Sequence, residues 1–221
     1  MRVYQHSEAA FLAAMTGSAT HEVRNVLAII KESGGLIGDL VHVSGERGAL
    51  DKEKVLRAVD RIEAQVKRGA ELLTNLNRLS HSLDHGLVTV DLGEEVEQMV
   101  FRGQRFARKK GQQVVPGEME KGCAFPVSPL GLHMVLFAAM ARCLEELPEG
   151  SVVTVGVRSE GGTLLVDYHG APGHALDGLE VPSESEGWKD LENLSGLLGA
   201  SVERYDVGFG IRILFSQGTV G

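Results

Sequence analysis

The sequence predicts an α+β protein in two parts, a helical hairpin followed by a mixed α/β sandwich. In the first part, two long stretches carry apolar residues at every third or fourth position, which is the spacing of one face of an α-helix. After Gly86 the pattern changes to short alternating runs separated by glycine-rich turns, which is typical of one sheet with helices on one face. We therefore expect domains at residues 1–86 and 87–221.

Composition narrows the class of protein. The 221 residues have a net charge of −8, and 43% are hydrophobic, which indicates a globular chain that does not bind nucleic acid through its phosphates. No apolar run reaches the roughly 18 residues of a membrane span, and no signal peptide is evident. Cys123 and Cys143 lack metal-ligand spacing and are interpreted as reduced packing residues. We expect a cytoplasmic protein without membrane or nucleic-acid partners.

The first helix is predicted from Glu8, capped by Ser7, to about His42, with a loop at residues 44–48. The second helix is predicted to begin after a cap at Asp51 and to continue past residue 80. Both helices carry a stripe of alternating four- and three-residue steps. The stripe residues are Val23, Leu27, Ile30, Gly34, Ile37 and Val41 in the first helix, and Val55, Val59, Ile62, Val66, Gly69, Leu73 and Leu76 in the second.

Two helices joined by a short loop cannot bury these stripes alone. A second copy of the hairpin would cover them in a four-helix bundle with two-fold symmetry. The alternatives are a bundle within one chain, or packing of the stripes onto the C-terminal half. The change of pattern after Gly86 favours the homodimer.

The second half is predicted to alternate between strands and helices. Asp91 and Ser128 are suitable caps for two of the helices, and residues 160–162 form a hairpin turn between two strands. The predicted strands are residues 87–90, 112–115, 123–126, 152–158, 163–169, 201–205 and 210–215, and the predicted helices are residues 93–110, 128–147 and 187–198. Pro116 and Gly117 are expected to end the second of these strands.

A candidate reactive histidine lies in the first helix. At about 100° per residue, His21 points roughly 200° away from Val23 and its apolar stripe. Asn25 shares the face of His21, and Glu22 lies beside it. An exposed neutral imidazole with a carboxylate and an amide nearby can act as a nucleophile. The alternative is an exposed histidine without any chemical role.

The segment that contains His21 reads His-Glu-Val-Arg-Asn-Val-Leu. It resembles the H-box of dimeric sensor histidine kinases, in which proline usually stands at the position of Val26. The resemblance implies that His21 carries a phosphoryl group, that Glu22 assists as a base, and that Asn25 supports the geometry, with Arg24 near the phosphoryl oxygens. Valine in place of proline predicts a straighter helix at this point.

The second half resembles the ATP-binding (Bergerat-type) domain of the same kinases, but its nucleotide residues do not match. The asparagines that hold Mg²⁺ and phosphate in the family align with Ala138 and Arg142, and the adenine-binding aspartate aligns with His169. Neither alanine nor arginine can supply an oxygen ligand to a hard cation. Residues 174–186 are short for an ATP lid. His169 and His174 have no standard metal spacing, so we expect neither a cofactor nor a metal.

These resemblances imply a histidine phosphotransferase that relays a phosphoryl group between the aspartates of response-regulator receiver domains. The receivers would bring the Mg²⁺ and dock around His21, with Ala28 and Glu32 in the docking surface. Two alternatives remain open. One is a divergent histidine kinase that phosphorylates His21 from ATP, and the other is a pseudokinase that docks response regulators without any catalysis.

Overall fold

The protein is described by a computed structural model that covers residues 8–47, 50–82, 86–171, 186–204 and 209–216. A helical hairpin is followed by an α/β sandwich with a mixed sheet, so the predicted α+β class is confirmed. One compact unit comprises residues 15–78, and a second comprises residues 1–14 with 79–221. The predicted domains of residues 1–86 and 87–221 are divided differently from these units and stay a prediction.

Helix α1 is long and unbroken, from Glu8 to Arg47. It continues past the predicted end at His42, so residues 44–47, which were expected in a loop, are helical. Gly45 was the signal for that loop, but a glycine costs a helix only about 1 kcal/mol relative to alanine and does not stop it. Within the last turn, the Ser44 hydroxyl donates to the Val41 carbonyl at 2.8 Å.

Helix α2 extends from Lys52 to His81. Asp51 caps it as predicted, since its Oδ1 accepts a hydrogen bond of 3.1 Å from the backbone N–H of Lys54. That backbone hydrogen bond, followed by the Lys54 side chain, lowers the pKa of the Asp51 carboxyl below its ordinary value. A carboxylate at a helix N-terminus also interacts favourably with the helix dipole.

The buried face of the hairpin overlaps the predicted stripe only in part. Val26, Ser33 and Ala58 are buried within the unit of residues 15–78, whereas Leu27 and Leu73 of the predicted stripes are exposed, Leu73 to 57%. In each helix the buried face and the stripe are neighbours around the axis. The exposed part of each stripe is thus available to another molecule, as the predicted homodimer requires, and the homodimer itself stays a prediction.

The sheet of the second unit is mixed. A two-stranded antiparallel pair joins β1 (Val88–Asp91) and β3 (Ala124–Val127). The five-stranded sheet has the order β2-β4-β5-β7-β6, in which β2 and β4 are parallel and the other neighbours are antiparallel. Its strands are β2 (Gln113–Met119), β4 (Val152–Glu160), β5 (Thr163–Ala171), β6 (Ala200–Arg204) and β7 (Phe209–Ser216).

Strand β2 corrects one expectation from the sequence. It continues through Pro116 and Gly117 to Met119, although these two residues were expected to end it. The strand lies at the edge of the sheet, and its register against β4 shifts between Pro116 and Met119. Proline lacks a backbone N–H, which an edge strand tolerates at its open side or at a bulge.

Three helices form the layer against this sheet, α3 (Leu92–Lys109), α4 (Pro129–Glu146) and α5 (Glu186–Gly196). Asp91 caps α3 and Ser128 caps α4, as predicted. Helix α4 is the central one, and nearly all of its residues are buried. Tyr168 of β5 ties it to the sheet, because its hydroxyl donates to the Leu136 carbonyl at 2.8 Å.

The first turns of α1 belong to this second unit. Phe11 is buried, and its ring packs against Phe137 of α4, which in turn contacts Phe106 of α3 at 4.9 Å between centroids. Residues 1–14 are accordingly grouped with the α/β sandwich. The helix therefore supplies core residues to one unit before its remaining turns form the hairpin.

Candidate functional site

His21 lies on the exposed side of α1, with 53% of its side chain accessible. Val26, on the opposite side of the helix, is only 3% exposed. The imidazole is therefore open to a partner, while its backbone belongs to a helix held by packing on the other face. A nucleophile mounted in this way can approach a large substrate without reorganisation of its own chain.

Asn25 is one turn further along the same face. Its Nδ2 lies 3.3 Å from Nδ1 of His21. When the amide nitrogen donates in this contact, Nδ1 accepts and the ring proton lies on Nε2. When the amide is turned by 180°, Oδ1 accepts from Nδ1–H and leaves the Nε2 lone pair free for attack. Asn25 can therefore select which ring nitrogen is nucleophilic.

Glu22 is turned toward α2, and only 12% of its side chain is exposed. Its Oε2 accepts a hydrogen bond of 2.8 Å from Nη2 of Arg68. Its Oε1 is 4.0 Å from Nδ1 of His21, which is longer than a hydrogen bond. The carboxylate is thus near the ring and is held from the other side by a guanidinium group.

Arg68 is a site residue that the sequence did not reveal. It precedes Gly69 of the predicted stripe, so its place beside the packed face of α2 could be read from the pattern. Its partner could not, because the contact between Glu22 and Arg68 depends on the register of two antiparallel helices. Sequence spacing within each helix carries no information on that register.

The other predicted site residues are all exposed on α1. Ala28 and Glu32 lie about two and three turns beyond His21 on nearly the same face. Arg24 lies on the exposed surface to one side of this face. Their roles in phosphoryl contact and docking stay predictions.

Val26 packs against α2. A methyl group added at Gly69 of α2 would lie 3.3 Å from Cγ1 of Val26, so the valine packs closely over the glycine backbone. Helix α1 continues through this position without interruption. Helix α1 is therefore unbroken at residue 26, and the straighter helix expected from valine in place of proline stays a prediction.

The positions aligned with nucleotide ligands are occupied differently. Ala138 is buried in α4, and Arg142 forms ion pairs with Glu146 and Glu145 of the same helix. A methyl group added at Gly187 of α5 would lie 2.8 Å from Nη1 of Arg142. The guanidinium group therefore fills the space between α4 and α5. The aligned Pro172, Gly173 and His174 lie outside the described residues.

On β5, His169 is exposed and Asp167 is buried. Both carboxylate oxygens of Asp167 accept hydrogen bonds, one from Nε of Arg158 at 2.8 Å and one from Nε of Arg212 at 2.7 Å. The hydrogen bond from Arg158 to Asp167 is the main reason why the pKa of Arg158 is raised above its ordinary value. A carboxylate engaged by two guanidinium groups is already satisfied as an acceptor.

Within the described ranges there is no cluster of three or more histidine, cysteine, aspartate or glutamate side chains that could hold a metal ion. Cys123 and Cys143 are both buried free thiols. Desolvation raises the pKa of each thiol above its ordinary value. None of the helices in the same ranges combines the length and the apolar character needed to cross a membrane.

Comparison with known proteins gives likenesses among solved structures only. The sequence matches no family model and no curated protein sequence. The chain is similar to a nucleotide-free form of the catalytic domain of histidine kinase ThkA, with a TM-score of 0.47 and 11% identity over 60% of this chain and 98% of that one.

Two further structures are similar. The cytoplasmic segment of histidine kinase QseC has a TM-score of 0.44 and 18% identity over 68% of this chain and 93% of that one. Histidine kinase AdeS from Acinetobacter baumannii has a TM-score of 0.44 and 14% identity over 90% of this chain and 98% of that one. The alignments thus span nearly the full length of each of these structures.

Proposed function

We propose that this protein is a histidine phosphotransferase that relays a phosphoryl group between receiver-domain aspartates through His21, without using ATP. The observation that carries the proposal is the exposed His21 ring with the Asn25 amide 3.3 Å from its Nδ1. With its Oδ1 turned toward the ring, this amide holds the tautomer in which Nε2 is free to attack. The H-box resemblance assigns phosphoryl transfer to a histidine in this setting.

The reaction requires little from the protein beyond positioning. Nε2 of His21 attacks the phosphorus of a receiver aspartyl phosphate, an N–P bond forms, and the O–P bond breaks with its electron pair left on the aspartate. The proton on Nδ1 passes to the carboxylate of Glu22. Transfer to a second receiver reverses these steps. Mg²⁺ bound by the receiver neutralises the phosphoryl oxygens, and Arg24 adds a positive charge nearby.

The homodimer follows from the exposed apolar stripes. Leu27 and Val41 on α1 and Val66 and Leu73 on α2 are all more than half exposed in the single chain. A second hairpin that covers them gives a four-helix bundle. His21, Ala28 and Glu32 lie on another face of α1, so a receiver can dock while the dimer is formed.

The second unit supports a role without nucleotide. Arg142 is engaged by Glu146 and packed against Gly187, and Ala138 has no donor atoms. A cation at this position repels Mg²⁺ rather than binding it. We place the protein in the cytoplasm, where response regulators act and where free thiols such as Cys143 remain reduced.

The test is transfer of labelled phosphate. Receivers from the same cell, phosphorylated with radiolabelled acetyl phosphate, are mixed with the purified protein, and acid-labile label on it is measured. We expect label on the wild type and none on His21→Ala. His42→Ala is the matched control, since His42 is also an exposed histidine of α1, and it should be labelled like the wild type.

Two other outcomes decide between the alternatives. Label from radiolabelled ATP alone, lost in His21→Ala, would identify a histidine kinase and overturn the proposal. Receiver binding that survives His21→Ala, with no label under any condition, would identify a non-catalytic docking module for response regulators.

A further inference from the structure

Glu22 is held by a residue from the other helix of the hairpin. Nη2 of Arg68 donates to Oε2 of Glu22 at 2.8 Å. The two residues are far apart in sequence, but both belong to the unit of residues 15–78. The Arg68 side chain is 42% exposed and that of Glu22 only 12%, so the contact lies at the margin of the packed face.

This contact gives the two carboxylate oxygens different surroundings. Oε2 is engaged by Arg68, and Oε1 lies 4.0 Å from Nδ1 of His21. A glutamate side chain has several rotatable bonds, so an unrestrained Glu22 would sample many positions of its carboxylate. With Oε2 held by Arg68, a small movement of the ring brings Nδ1 within hydrogen-bonding distance of Oε1.

We propose that Arg68 is a positioning residue for phosphoryl transfer at His21. It holds Glu22 so that Oε1 receives the Nδ1 proton as Nε2 forms its bond to phosphorus and the aspartate leaves with the electron pair. Arg68 acts through Glu22 and does not contact the reacting atoms. This inference rests on the proposed function, because it assigns a role within the same transfer step.

If Arg68 only stabilised the fold, its mutants would lose folding stability rather than transfer rate. Because the Arg68 side chain is 42% exposed, solvent screens much of its charge, and the pair should add only modestly to folding stability. Loss of Arg68 should therefore change the transfer rate more than the stability. Misplacement of a catalytic group by about 1 Å can cost up to about a hundredfold in rate.

The first experiment compares rates of His21 labelling from a receiver phosphorylated with acetyl phosphate. We expect Arg68→Ala to be slower than the wild type by about tenfold to a hundredfold, and Arg68→Lys to recover part of the rate through its remaining donor. Arg57→Ala is the matched control. It removes an exposed ion pair with Glu53 elsewhere on α2 and should leave the rate unchanged.

The second experiment tests whether Arg68 acts through Glu22. In a double-mutant cycle, Arg68→Ala should lower the labelling rate when Glu22 is present. It should cause no further loss of rate in the Glu22→Gln background, because the carboxylate that Arg68 holds is then gone. Independent, multiplying losses would overturn the proposal. Should Arg68→Ala fail to fold, Arg68→Gln enters the same cycle, and thermal unfolding of every variant checks its stability.

The outcomes also separate this inference from the function on which it rests. A wild-type protein that no phosphorylated receiver labels would overturn both. A labelled wild type with Arg68→Ala labelled at the same rate would overturn only the role of Arg68. Slower labelling of Arg68→Ala that Arg68→Lys partly restores, with unchanged unfolding temperature, supports it.

Discussion

The rings of Phe11 and Phe137 pack edge to face, with 5.8 Å between their centroids and 62° between their planes. Phe11 lies in the first turns of α1 and Phe137 in the middle of α4. Aromatic pairs in this arrangement contribute beyond the area that they bury. The beginning of α1 is thus part of the core of the α/β sandwich.

Phe11→Ala should destabilise the α/β sandwich. Truncation of a buried phenylalanine leaves a cavity, and we expect the free energy of unfolding to fall by about 3–5 kcal/mol. Urea denaturation, followed by the fluorescence of Trp188, measures this change because Trp188 belongs to the same unit. Phe11→Leu, which keeps most of the volume, should lose less. An unchanged midpoint in Phe11→Ala would show that the ring is not buried in solution.

Val26→Pro introduces the residue usual at this position of the H-box that the segment resembles, but it should disturb this helix. Proline removes the backbone N–H that bonds to the carbonyl of Glu22 in α-helical geometry and clashes with that turn, at a cost of about 3 kcal/mol. Circular dichroism should show less helix, and thermal unfolding a lower midpoint.

Val26→Ala is the control for this substitution. It loses only the methyl groups that pack on Gly69 and keeps the backbone hydrogen bond, so its effect should be the smaller one. Wild-type stability in Val26→Pro would mean that α1 accepts a kink at this position without cost.

Leu73→Glu should weaken the homodimer. The leucine is 57% exposed in the single chain, so its burial in the dimer contributes about half of the roughly 1.5–3 kcal/mol of a fully buried leucine, once in each of the two chains. Its loss alone therefore raises the dimer dissociation constant by at least about tenfold, and a buried carboxylate adds to the effect. Light scattering after size exclusion measures the change in mass.

Two controls accompany this measurement. Leu197→Glu changes another exposed leucine, in the α/β sandwich, and should leave the dimer unchanged. His21→Ala should do the same, because His21 lies on a different face from the stripe. A monomeric His21→Ala would contradict the assignment of helix faces.

The protein should lose stability in alkaline solution. Burial raises the pKa of Tyr168 well above its ordinary value and also raises the pKa of the Cys143 thiol. The folded state therefore keeps both protons at a pH at which the unfolded state releases them. In the unfolded state the pKa is about 8.5 for the cysteine and about 10 for the tyrosine. The contribution of each group to stability is fully present below its unfolded pKa and is lost as the pH rises above it.

We expect the free energy of unfolding to fall by up to about 1.4 kcal/mol per pH unit for each group. Urea denaturation between pH 7 and about 11 measures this slope. Tyr168→Phe loses the hydrogen bond to Leu136 and should start from a lower stability, but its slope above pH 10 should be shallower. Equal slopes would show that Tyr168 titrates alike in both states.

Features set by local sequence were predicted correctly. Asp51, Asp91 and Ser128 cap the helices that follow them, because a side chain can satisfy an exposed N–H only two or three residues away. The turn between β4 and β5 was also predicted, because two consecutive glycines suit a tight turn. In the structure, Gly161 and Gly162 adopt positive φ angles of 58° and 83°.

Features that depend on distant contacts were not predicted. The partner of Glu22 is set by the register of two antiparallel helices, and the partner of Phe11 is an α4 residue far along the chain. The choice between two apolar faces of α1 also depends on what each face meets. Periodicity locates a face but does not name its neighbour.

The ion pairs of Arg142 limit which residues helix α4 can accept at this position. Its guanidinium group neutralises Glu146 and Glu145, and Arg204 approaches Glu146 only to 3.9 Å. Replacement of Arg142 by asparagine would remove this positive charge and leave Arg204 as the more distant counter-charge of Glu146. Without Arg142, helix α4 would carry two largely buried carboxylates that have lost their main ion-pair partner, which is costly in a folded protein. The ion pairs within α4 thus favour arginine over asparagine at position 142.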